Sequence, residues 1–134
     1  MNSALYHLQI NVDFQKNKGF YASLFTLLGW DSGWADESMM EFESNEVSLW
    51  FIDSENKSKS NYDALGVNHI SIKVEKQSDV DAVANDLKES GIEMLFGTPM
   101  HRADFAADEN STYYQIMFES PDGILFEVVY VGAK

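Results

Sequence analysis

Two heptapeptides 62 residues apart constrain this chain more than any other feature: "YHLQINV" at 6–12 and "NHISIKV" at 68–74. Each alternates apolar and polar positions, the period of a half-buried β-strand. Leu8, Ile10 and Val12 line one face of the first, with His7, Gln9 and Asn11 on the other. In the second, Ile70, Ile72 and Val74 oppose His69, Ser71 and Lys73. A histidine thus opens the polar face of both strands, at matching places.

The repeat extends beyond the strands. After the first comes "QKNKGFYASLFTLLG" (15–29), with Phe20, Leu24, Leu27 and Leu28 at helical spacing and Gly29 as the stop. Strands "MMEFES" and "VSLWFID" follow. After the second comes "SDVDAVANDLKESG" (78–91), striped by Val80, Val83, Ala84 and Leu87. Ser78 or Asp79 can cap its start and Gly91 close its end. Then come "IEMLFG", "TYYQIMFES" and "ILFEVVY", and "FES" precedes the last strand in both halves. Each half therefore reads as βαβββ. The polar stretch 54–66 reads as a linker between module one (1–53) and module two (67–134). Neither module encloses enough apolar volume alone. The expected fold is one α+β domain of two tandem βαβββ modules. Its sheet is curved and mainly antiparallel around a cavity, with helices outside and His7 and His69 facing in.

Composition narrows the function classes. The chain of 134 residues has no cysteine, so disulfides, thiolate metal sites and a cysteine nucleophile are excluded. A net charge of −13 argues against nucleic acid and anionic membrane, both of which need a basic footprint. The start "MNSALYHLQINV" has no basic n-region, and no apolar run reaches membrane-spanning length. A cytoplasmic protein is the expectation. Arg102 is the single arginine, which excludes an arginine cluster for a highly charged phosphate.

These modules resemble the vicinal oxygen chelate superfamily, which includes glyoxalase I, fosfomycin- and bleomycin-resistance proteins and extradiol dioxygenases. The resemblance is carried by "HLQINV", "GFYASLFTLLGW", "NHISIKV" and "YYQIMFESPDGILFEVV", and covers nearly the whole chain. Ser120 stands where the family's usual turn has aspartate. The resemblance implies metal ligands at His7, His69 and Glu127. The fourth ligand position falls at Trp50 or Leu49, neither of which binds a metal. Two imidazoles and a carboxylate suit Zn²⁺, Ni²⁺, Mn²⁺ or Fe²⁺ and leave open positions for a substrate with neighbouring oxygens. Glu127 lies in the apolar run "ILFEVVY", where a buried acid needs a partner or a cation.

The implied function is a divalent-metal-dependent enzyme acting on a small molecule: a lyase, isomerase or small-group transferase. The alternatives are a metal-free binding protein for an aromatic or cationic drug, and an Fe²⁺ extradiol dioxygenase. A fosfomycin-type activity is disfavoured, because a phosphonate calls for several cationic groups. The family also implies a homodimer. Substrate contacts are expected from Gln9, Trp50, Arg102 and Tyr114. One of Tyr113 and Tyr114 must point inward. Arg102 lies in "TPMHRADFAADENST" (98–112), long enough to border a site, where it can meet a substrate carboxylate. Glu43 and Glu119 can be inward bases or surface charges. No catalytic residue is assigned.

Overall fold

The computed structural model describes residues 1–134 as two compact units, 1–58 and 59–134. The stretch 54–66 expected to link the modules is divided between them.

The first unit runs β1 (His7–Val12), α1 (Phe14–Leu27), β2 (Asp31–Ala35), β3 (Met39–Ser44) and β4 (Val47–Asp53). Its sheet has the order β1-β4-β3-β2, with β1 parallel to β4 and the other pairs antiparallel. The helix between β1 and the later strands is what permits that parallel pair. Phe14, Tyr21, Leu24 and Phe25 of α1 are buried, as are Ile10, Val12, Phe42 and Phe51 of the sheet. Aromatic rings tie the layers together: Tyr21 stacks on Phe51 at 4.5 Å, and Phe25 lies 5.3 Å from Phe51 and 5.7 Å from Phe42. Such rings supply large apolar burial with directional packing. Asp13 precedes α1 but makes no capping bond; the Phe14 amide instead donates to Asp53 Oδ1 on β4 at 3.0 Å. Gly29, at φ 77°, closes the helix as expected.

The second unit runs β5 (His69–Val74), α2 (Gln77–Glu89), β6 (Met100–His101), β7 (Ser111–Glu119) and β8 (Leu125–Ala133). Its order, β5-β8-β7-β6, and its parallel β5–β8 pair repeat the first unit. Val80, Val83, Ala84 and Leu87 are buried, and α2 packs on β5, β7 and β8. Asp79 Oδ2 accepts the Lys76 amide at 3.1 Å, half of a capping box. Ser120 takes the role expected of an aspartate in the last hairpin: its hydroxyl accepts the amides of Asp122 (3.3 Å) and Ile124 (3.2 Å).

Two elements differ from expectation. Residues 92–97 form no strand, because Phe96 (φ 56°) and Gly97 (φ 73°) are left-handed and break any ladder. The edge strand is β6 instead, inside the segment read as a long loop. In the first unit, β2 forms from "DSGWA", whose residues are all exposed and show no alternation. No helix is long and apolar enough to cross a membrane.

Candidate functional site

Register decides which side chains gather on the sheet face away from α2. Ser71 pairs with Glu127, and Met117 pairs with Glu127 from the other side. By alternation His69, Ser71, Glu127 and Tyr113 share one face. Ile72, Ile116, Phe118, Phe126 and Val128, all buried, share the other. The Tyr114 hydroxyl donates to Asp81 of α2 at 2.7 Å, which places that side chain on the helix face. The inward phenol is therefore Tyr113, not the expected Tyr114. Burial and the Asp81 carboxylate it bonds push Tyr114 up to about 12.

Glu127 is the buried charge of this face, 3% exposed. Its Oε1 accepts the Tyr113 hydroxyl at 2.7 Å, and its Oε2 lies 3.4 Å from His69 Nε2. Burial first, then the bond to Glu127, pushes the Tyr113 phenol up to about 12; Ser71 and Arg102 pull weakly the other way. Tyr113 thus stays a donor throughout the neutral range.

The tautomer of His69 follows from its neighbours. Asn68 Nδ2 donates to the Tyr62 carbonyl at 2.9 Å, which fixes the amide with Oδ1 toward His69. That Oδ1 lies 2.8 Å from His69 Nδ1. A carbonyl oxygen only accepts, so Nδ1 carries a proton. In the neutral ring the lone pair is then on Nε2, the atom facing Glu127. Two electron-rich atoms meet at 3.4 Å, and a cation belongs between them, either a proton or a metal ion.

The other half of the expected site lies in the first unit. His7, Gln9 and Trp50 line one cavity of about 290 Å³, with Tyr6 edge-on to His7 at 5.4 Å. Trp50 is the β4 residue opposite both Gln9 and Glu41. It walls the cavity at the position where the resemblance leaves a ligand missing. Gln9 Nε2 donates to Asn11 Oδ1 at 3.1 Å.

Glu41 is a functional candidate that sequence reasoning missed. Its carboxylate lines the His7 cavity and accepts the Ser48 hydroxyl (2.8 Å) and the Trp34 amide (3.2 Å). A Cβ at position 33 would collide with Glu41 Oε2, so Gly33 makes room for it. Burial acts to raise the Glu41 carboxyl, but Ser48, Trp34, Glu43 and the charge of His7 together hold it below the usual range. Glu43, two residues on, is raised, chiefly by the charge of Glu41 and also by Asp31. The available signal was the alternation of "MMEFES" between two apolar residues.

Arg102 stands at the margin of the second unit's face. Its amide donates to the Tyr113 carbonyl at 2.8 Å, and its side chain pairs with Asp104. Within neither unit do three His, Cys, Asp or Glu side chains gather as a metal-holding group; His69 and Glu127 lie together in the second, and His7 lies in the first. The donor chemistry of His69 and Glu127 fits a divalent ion, since an oriented imidazole lone pair and a carboxylate oxygen are ordinary ligands.

Comparison with known proteins agrees with this architecture. A glyoxalase-like protein from Bacillus halodurans is 25% identical and superposes with a TM-score of 0.78, with 94% of each chain covered. A glyoxalase/bleomycin resistance protein from Albidiferax ferrireducens is 20% identical, covering 96% of this chain and 99% of its own, with a TM-score of 0.74. The fosfomycin resistance protein FosX from Listeria monocytogenes is 19% identical, covering 96% and 90%, with a TM-score of 0.66. The FosX structure is that of a glutamate-to-glutamine variant complexed with Mn(II) and 1S,2S-dihydroxypropylphosphonic acid. No match was found among curated proteins. The profile of the Glyoxalase/Bleomycin resistance protein/Dioxygenase superfamily matches residues 4–128, nearly the whole chain, and the chain belongs to that superfamily.

Proposed function

We propose that this protein is a divalent-metal-dependent enzyme of glyoxalase type, a lyase, isomerase or small-group transferase acting on a small oxygen-bearing molecule. The observation that carries the reading is the His69–Glu127 pair, with an Nε2 lone pair set against a carboxylate that is 3% exposed. A buried carboxylate facing a second electron donor is costly without a cation. Tyr113 satisfies Glu127 Oε1 and leaves Oε2 for the ion; Asn68 holds the imidazole in the matching tautomer. His7 is the third ligand proposed. It opens the first strand of its unit as His69 opens that of the other, beside the parallel last strand in both.

A bound ion of this class supplies Lewis acidity and open positions for two neighbouring substrate oxygens. The chain's own groups do the rest. Trp50 and Gln9 shape the His7 cavity, and Tyr113 holds its proton at the hydroxyl shared with Glu127. Glu41, whose carboxyl Ser48 and the Trp34 amide hold below the usual range, lines the His7 cavity within reach of a ligand there.

A second reading rests on the same pair. If a proton closes His69 to Glu127, the site is an ion pair and the protein a metal-free small-molecule binder. Titration of metal-stripped protein with Zn²⁺, Ni²⁺, Mn²⁺ and anaerobic Fe²⁺ separates the two. The enzyme reading predicts saturable binding of at least one ion that is lost in H69A. Equal weak binding by wild type and H69A favours the binder.

A further inference from the structure

We propose that Arg102 is the receptor for a ligand carboxylate and that Asp104 is its resident occupant, displaced when ligand binds. The inference rests on the His69–Glu127 face being the substrate face, and it names the class of substrate: a small monocarboxylate.

The geometry begins at the backbone. The Arg102 amide bonds to the Tyr113 carbonyl at 2.8 Å, so its Cα is fixed to the edge of β7. The guanidinium lies 4.5 Å over the Phe105 ring, and Phe105 stands edge-on to Tyr113 at 5.4 Å. Tyr113 in turn donates to Glu127 at 2.7 Å. An unbroken row of contacts therefore runs from the buried carboxylate to the guanidinium.

The fork is already filled by the kind of group it is built to take. Arg102 Nε and Nη2 donate to the two Asp104 oxygens at 3.1 and 2.8 Å, a bidentate carboxylate contact. Arg102 is 32% exposed and Asp104 58%, so the pair is wet and weakly held, and a ligand can exchange for it at small cost. Stacking on Phe105 keeps the guanidinium in place when Asp104 leaves. One guanidinium matches a single negative charge. By alternation Lys73 is the only other cation on this face of β5, and a doubly charged phosphonate has no matching cluster.

A lone arginine makes the test direct, because its side-chain Nε–H gives one resonance in a proton–nitrogen correlation spectrum of the intact chain. Metal-free protein is titrated with glycolate and, separately, with glycolamide, at matched chloride. Glycolate is expected to shift the Arg102 Nε–H saturably, and glycolamide, which lacks the charge, is expected not to. D104N removes the resident competitor and should tighten glycolate binding about twofold to fivefold. R102Q, followed through the Phe105 and Tyr113 ring signals, should weaken it at least about tenfold, with R102K between. A well-dispersed spectrum verifies that each variant is folded. No shift with glycolate up to about 100 mM in wild type and D104N overturns the proposal. So does an equal response to glycolamide. Weaker binding by D104N also overturns it, since Asp104 would then position Arg102 rather than occupy it. Because the titration is metal-free, seated glycolate in a protein that binds no metal would sink the enzyme reading and leave the carboxylate receptor standing.

Discussion

Removing one oxygen atom tests how Glu127 is held. Tyr113→Phe deletes the hydroxyl that donates to Glu127 at 2.7 Å and leaves the ring against Phe105 in place. The acceptor is a carboxylate only 3% exposed, so water does not readily replace the lost donor. A hydrogen bond to a charged group is worth about 1.5–3 kcal/mol, and the loss should fall in that range at neutral pH. Urea denaturation at pH 7.5 reads it as a lower midpoint with an unchanged slope. The sign of a second effect follows from linkage. The Tyr113 phenol titrates near 12 in the folded chain and near 10 when unfolded, so its contribution is whole below about pH 10 and fades toward 12. Y113F should therefore lose less stability than wild type between those values; Tyr114, also raised to about 12, stays as the internal control. A Y113F protein within about 0.5 kcal/mol of wild type, with the same alkaline decline, would refute the claim that this phenol holds Glu127.

Other outcomes follow from single positions. Glu46 sits at φ 66° in the two-residue turn between β3 and β4, with Asn45 at φ 49°, so E46G should stabilise by about 0.5–1 kcal/mol in the same urea assay. Gly33→Ala brings a Cβ against the flexible end of Glu41, which must swing aside and give up the Trp34 amide, so it should cost no more than about 1 kcal/mol by thermal melt, while a substitution at the open Gly19 should not be limited by space. Asn68→Ala frees the His69 ring and should weaken metal binding about 10–100-fold by calorimetry with little loss of fold.

How far the sequence could be read depended on whether a feature left a pattern in side chains. The duplicated strands and the α2 stripe of Val80, Val83, Ala84 and Leu87 did, because burial selects apolar residues at a fixed period. Strand β2 did not, since all five of its residues are exposed and it is held by backbone pairing to β3. Residues 92–97 carried a strand-like composition that two left-handed residues override. The choice between Tyr113 and Tyr114 turned on parity along β7: a shift of one residue exchanges faces, and Asp81 on α2 settles it. His69 and Glu127 do lie side by side, as their places in first and last strand suggest, but the role of Asn68 in setting the tautomer rests on a carbonyl at Tyr62 six residues upstream. Glu41 stayed hidden because its partners, Ser48 and the Trp34 amide, come from flanking strands.

The proposed function stands on His69 and Glu127 holding a divalent ion, with His7 proposed as a third ligand. Titration calorimetry of metal-stripped wild type, H7A, H69A and E127Q with Zn²⁺, Ni²⁺, Mn²⁺ and anaerobic Fe²⁺ measures it directly. One ion per chain is expected for wild type, with binding weakened more than about 100-fold in each variant, beyond the effect of losing a supporting hydrogen bond. Wild type and all three variants binding every ion equally weakly would contradict it.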